Sequence, residues 1–368
     1  MVSASIDTLA VSSREGGWLH RRAVDAVILG VPWLFLLVSI VRDAPGSYAT
    51  WFAQFVWGNT THVVLTFVLL ATRRDVLRAT PSQTRVVVLG SVATWAVTFA
   101  LLCWVQAVAP TWLSFPMALV TVFGVQHWLA QARGIWSLYN LRAGRLGVPA
   151  PPPSERELQG NWVALGLGLT STAWLFAPSG PERTFSLLQP IPLLEAPLPY
   201  ESVYAMAGIW VAYSFHVIRT LASTAAPTRV VLPKLLHITG HTGAVTLAIV
   251  TPMWGGVVWG SIHGLEYLFL STRMMQPREG DLEPGTPPAG VWPLALAAMV
   301  PLFFVGLTQS PFAIALTLRS LGPVDDWSPL LHAVNSLVVA HYFADAWIYR
   351  FRIPEVRRVA LHRLGFAG

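Results

Sequence analysis

The chain has 368 residues, of which 54% are hydrophobic and 11% charged, with a net charge of +6 and 17 tryptophans. About a quarter of the residues of a soluble domain are charged, so this composition excludes a soluble globular enzyme, a disordered chain and a coiled coil. It also excludes a nucleic-acid-binding domain, because the positive balance comes from few acids and scattered arginines rather than from a basic stripe on a soluble core.

The expected fold class is therefore all-α, a polytopic helix bundle in a membrane. Residues 1–22 carry Asp7, Arg14, Glu15, Arg21 and Arg22 without an apolar run, so they read as a cytoplasmic segment with no cleavable signal peptide. Polar punctuation then divides 23–351 into ten apolar segments of roughly spanning length. They lie near 23–41, 50–71, 86–108, 111–132, 161–177, 200–222, 235–251, 255–272, 291–309 and 329–351. The seventh and eighth are short and meet at a Pro/Gly turn, Thr251 to Gly256, as half-spanning or tightly coupled helices would. Residues 142–157 and 276–290 read as polar cytoplasmic connectors. The proline-rich stretch 178–199 reads as an outer cap, and 352–368 as a basic cytoplasmic tail.

The basic residues test this division. Starting from a cytoplasmic N-terminus, 21 of the 24 fall in loops on the inner side and three, Arg42, Arg183 and Arg319, on the outer side. That asymmetry is the one expected of cytoplasmic loops and places both termini inside. Twenty-three of the 24 are Arg and one, Lys234, is Lys; with the Ala, Gly and Pro content this points to a GC-rich bacterial gene and a cytoplasmic (inner) membrane.

Cys103 is the single cysteine, so the chain has no internal disulfide and no cysteine-rich metal site. Any metal must be held by His and carboxylates. Of ten histidines, eight fall in the segments: His62, His127, His216, His237, His241, His263, His332 and His341. Glu266 and Asp345 are the acids well inside them. Ionisable groups in a span are costly and mark candidate sites. Counted from the cytoplasmic ends at about 1.5 Å per residue, most lie roughly 7–15 Å deep, in one layer, with His332 the exception near the outer end.

Spacing sharpens the candidates. His237/His241 and His341/Asp345 are i, i+4 pairs and His263/Glu266 an i, i+3 pair, each placing two potential ligands on one helical face. The expected metal ligands are His62, His127, His237, His241, His263, Glu266, His341 and Asp345. Gly256, Gly260 and Gly264 form a small-residue ridge facing Gly240, Ala244 and Ala248, which would bring His241 opposite Glu266. Gln131, Asn59 and Tyr267 are candidate orienters of metal-bound imidazoles. The tryptophans read mostly as interface anchors and packing.

With His237-x-x-x-His241 and His263-Gly264-Leu265-Glu266, the chain resembles, in architecture, the histidine-rich polytopic membrane oxygenases: the membrane desaturases and hydroxylases, and the Brp/Blh-type carotenoid dioxygenases. It departs from them in lacking His-x-x-His-His boxes and the His-Gly-Ala-Leu-Asp stretch. The resemblance implies non-haem iron, one or two ions, oxidising a lipid-soluble substrate with O2. His and carboxylate ligands with open positions suit that chemistry, though the same donors also suit zinc or copper. Membrane lipid and an electron donor are the expected partners. The alternatives are a haem protein for electron transfer or gas reduction, and a proton-coupled transporter using Glu266, Asp345 and His as a relay.

Overall fold

A computed structural model describes residues 17–19, 22–42, 60–72, 81–176, 198–199, 201–223, 227–275, 328–348 and 353–364. They are almost entirely helical, with no strand among them. The helices are α1 (Arg22–Arg42), α2 (Thr60–Thr72), α3 (Pro81–Val108), α4 (Ser114–Arg145), α5 (Pro153–Phe176), α6 (Ser202–Ala222), α7 (Thr228–Val250), α8 (Pro252–Met275), α9 (Ser328–Ile348) and α10 (Pro354–Arg363), with a 3-10 turn at Pro110–Trp112. Nine of the ten apolar segments thus contain helix. The segment 291–309, the connector 276–290, nearly all of 178–199, and Asn59 lie outside the described residues.

The chain divides into two compact units: Met1–Pro45, Val125–Pro190 and Leu194–Ile262 form the first, and Gly46–Gly124, Ile191–Leu193 and His263–Gly368 the second. In the first, α7 packs against α6, α5 and α1. Its core holds several of the tryptophans, in the packing role that the sequence offered beside that of interface anchors. Trp162 stands between Trp136 and Trp210 at ring distances of 6.2 and 5.0 Å, and Trp128 meets Trp259 edge-on at 4.9 Å. A buried indole N–H needs an acceptor. Trp174 donates to the Ala248 carbonyl at 2.7 Å and Trp210 to that of Thr242 at 3.0 Å, so these rings also fix the height of α7.

Two expectations for this unit need correction. Residues 142–157 are not simply a connector: α4 runs to Arg145 and α5 begins at Pro153, a residue suited to a first helical position because its missing N–H would have no partner there. Between them the chain turns at Gly147, whose φ of +83° only glycine adopts without strain. The paired bonds Val148 N to Ala143 O and Gly147 N to Gly144 O, both 3.1 Å, close the end of α4 as a Schellman cap. Glu155, in the first turn of α5, is buried.

The second correction concerns α7 and α8, which are full-length helices of 23 and 24 residues rather than short ones. They are separated by the single non-helical Thr251. They pack tightly where Gly255 meets the backbone of Ala248, a member of the small-residue ridge expected on α7. Gly240 has Leu29 of α1 nearby and Gly243 has Trp33, so that part of α7 receives α1.

In the second unit α9 packs along α3 and against α2. Gly90 admits the Phe343 ring, and Trp95 donates to the Ala333 carbonyl at 3.1 Å. In α10, Val359 and Ala360 are buried, and Leu364 just beyond it accepts a bond of 2.6 Å from Arg273 of α8. Among the described residues one helical segment, Arg85–Val108 of α3, is long and apolar enough to cross a membrane, and little of it is covered by the rest of the chain.

Candidate metal centre

Three helices of the second unit each carry a histidine followed four residues later by an oxygen side chain: His62 and Thr66 on α2, His263 and Tyr267 on α8, His341 and Asp345 on α9. Spacing of four puts both members on one face, one turn apart. All six residues are buried. They assemble into two stacked triads.

In the upper triad, His62 Nε2 lies 2.9 Å from His341 Nε2 and 3.0 Å from His263 Nε2. The rings meet edge to face, with centroids 4.7 and 4.4 Å apart. His341 Nδ1 is 2.6 Å from the Val338 carbonyl, which can only accept, so Nδ1 carries the proton and Nε2 of the neutral ring is a bare lone pair. Two such contacts on one nitrogen conflict. If His62 Nε2–H points at His341 it offers no lone pair to His263; if it accepts from His263 it has no hydrogen for His341. A cation among the three nitrogens resolves the conflict by taking all three lone pairs.

In the lower triad Thr66 Oγ1, Tyr267 Oη and Asp345 Oδ1 form a closed triangle. Its edges are 2.7 Å for Thr66 to Tyr267, 2.9 Å for Thr66 to Asp345 and 3.0 Å for Tyr267 to Asp345. Both hydroxyls can donate to the carboxylate, or Tyr267 can donate to Thr66, which donates to Asp345. The Thr66 hydroxyl also lies 3.1 Å from the His62 carbonyl. Asp345 Oδ2 is 4.0 Å from His341 Nε2, so the carboxylate joins the two layers. Because contacting pairs recur four residues on in every helix, α2, α8 and α9 run in the same direction.

Of the residues expected from sequence, His62, His263, His341 and Asp345 converge here. Glu266 is buried on α8, three residues after His263. In the first unit, His237 and His241 on α7 are both buried, with ring centroids 4.5 Å apart. His237 Nε2 is 3.0 Å from the Ala132 carbonyl, which can only accept, so Nε2 is the protonated nitrogen. His127, half-buried on α4, belongs to the same unit. Clusters of His with His or carboxylate in this chain thus have the spacing needed to hold a metal ion. His216 is exposed, and His332 is buried.

The sequence reading missed Thr66, although the i+4 rule applied to His62 finds it. It also missed a polar knot in the first unit. Glu155 Oε1 accepts from Trp136 Nε1 at 2.8 Å, Asn140 Nδ2 at 2.7 Å and Lys234 Nζ at 3.1 Å, while Lys234 also donates to Asn140 Oδ1 at 2.9 Å. The signal was available: Lys234 is the lone lysine among 23 arginines.

Comparison with protein-family models, with curated proteins and with solved structures finds no match.

Proposed function

We propose that His62, His263 and His341 bind a divalent transition metal beside the Asp345 carboxylate, and that the protein is a membrane-embedded, non-haem iron oxidoreductase acting on a lipid-soluble substrate with O2. The observation that carries this reading is the approach of two Nε2 atoms, of His341 and His263, to within 3.0 Å of a third, that of His62, with the His341 tautomer set to present its lone pair. Ligands at about 2.1 Å from a metal lie about 3 Å apart when they subtend a right angle and about 3.4 Å apart in a tetrahedron. The two observed spacings favour neighbouring ligands at right angles, as in the octahedral sites with open positions used by non-haem iron. It is too close for two axial ligands of one haem, which face each other across about 4 Å.

The membrane reading draws on α3 and on exposed apolar residues such as Leu34, Leu89, Val97, Trp104 and Phe215. It draws also on the common direction of α2, α8 and α9, the second, eighth and tenth of ten alternating segments. In such a bundle even-numbered helices run the same way. Lipid at the helix faces gives an acyl, isoprenoid or carotenoid chain its route to the site.

The test is elemental analysis of full-length protein purified in detergent and supplied with Fe(II). Near-stoichiometric iron is expected, falling at least tenfold in His62→Ala and His263→Ala. A folded wild-type protein that takes up no metal sinks the proposal. Oxygen uptake by the iron-loaded protein given a total lipid extract, with mass spectrometry for oxygenated lipid, tests the reaction separately.

A further inference from the structure

We propose that Tyr267 is a redox-active side chain, giving one electron to the chemistry at the three-histidine centre and its phenolic proton to Asp345. This inference rests on the reading of His62, His263 and His341 as metal ligands and deepens it.

Three observations carry it. The Tyr267 ring lies 5.5 Å from the His62 ring, centroid to centroid, so an electron need cross little more than one imidazole. Its hydroxyl is 3.0 Å from Asp345 Oδ1, so the proton that an oxidised phenol must release has an acceptor already in place, and no water need enter. The residue is 1% exposed, which shields the oxidised ring from external reductants. Tyr342 also approaches the centre, 4.5 Å from the His341 ring, but its hydroxyl packs against Gly124.

The step balances when the iron stops at the ferric state. One ferrous ion yields one electron on becoming ferric, whereas cleaving the O–O bond of a peroxide takes two. With hydrogen peroxide as oxidant, two electrons convert it to two hydroxide ions. One comes from the ferrous ion and the other from Tyr267. The phenol O–H bond breaks, its proton passes to Asp345 Oδ1, and a neutral phenoxyl radical remains. Thr66, 2.7 Å from the phenol oxygen, can then turn its hydroxyl from the protonated Asp345 and donate a hydrogen bond to that oxygen, keeping its own hydrogen.

The experiment mixes full-length, Fe(II)-loaded protein in detergent with hydrogen peroxide and freezes it for electron paramagnetic resonance. An organic radical is expected, approaching one spin per iron and narrowed when the protein is made with ring-deuterated tyrosine. It should be lost in Tyr267→Phe at unchanged iron content and kept in Tyr342→Phe. Thr66→Val, which removes the hydrogen-bond donor, should shift the high-field spectrum of the radical. Oxidation to ferric iron with no organic radical overturns the inference, as does a radical that persists in Tyr267→Phe or is untouched by Thr66→Val. Those results leave the metal centre standing, whereas absence of bound iron removes both.

Discussion

Single residues carry the polar interior of this protein, and they do so in closed sets. The Lys234–Glu155 pair is buried, and every donor around Glu155 Oε1 converges on one oxygen. Removing one partner of a buried pair leaves the other charge without its counter-ion, a loss of about 3–5 kcal/mol, whereas removing both charges while keeping shape is nearly neutral. Lys234→Ala should therefore lower the thermal unfolding midpoint in detergent. Lys234→Met combined with Glu155→Gln, which keeps an oxygen for Trp136 and Asn140, should restore most of it. Equal destabilisation by the single and double variants would show that the charges are not what matters.

Composition and spacing made part of this legible. His62, His263, His341 and Asp345 stood out because ionisable groups are rare in apolar helices, and His341/Asp345 because i+4 neighbours share a face. Glu155 did not, since a proline-rich stretch before an apolar run reads as solvent-facing until the fold turns its first helical residues inward. Thr66 is too common a residue in an apolar helix to announce itself. Its role depends on which helices lie beside α2.

At the level of elements, the turn between α7 and α8 sets how closely the two helices can start. A Cβ on Gly255 would overlap the backbone of Ala248, which cannot swing aside, whereas a Cβ on Gly90 would meet the outer edge of the Phe343 ring, which can. Overpacking a rigid contact costs about 1–3 kcal/mol or more. Gly255→Ala should thus destabilise the protein more than Gly90→Ala, measured as loss of folded protein on heating in detergent. The sequence located this turn from Thr251-Pro252 and the glycines around it, and its small-residue ridge on α7 includes the Ala248 that Gly255 meets. Small residues in a row license close packing without saying which one a neighbour uses, and Gly240 and Gly243 show the ambiguity by receiving α1.

For the whole molecule, the exposed surface of α3 decides the expected solvent. Val86, Leu89, Val92, Val97, Leu101 and Trp104 are all exposed on one helix. Apolar surface left in water costs about 25 cal/mol per Å², so a helix of this kind is stable when lipid or protein covers it. The full-length protein should stay in the membrane pellet after alkaline carbonate extraction and need detergent for release. Recovery in the soluble fraction would contradict a lipid-embedded bundle.

What the sequence by itself determined is the helical class, nine of the ten apolar segments as helix, and a short roster of ionisable residues confined to them. Those follow from local chemistry: hydropathy, turn residues and the rise of a helix. Which histidines meet was decided by tertiary structure alone. Three helices distant in sequence had to run in one direction and at one height before Nε2 atoms could face each other, and no spacing within a helix encodes that.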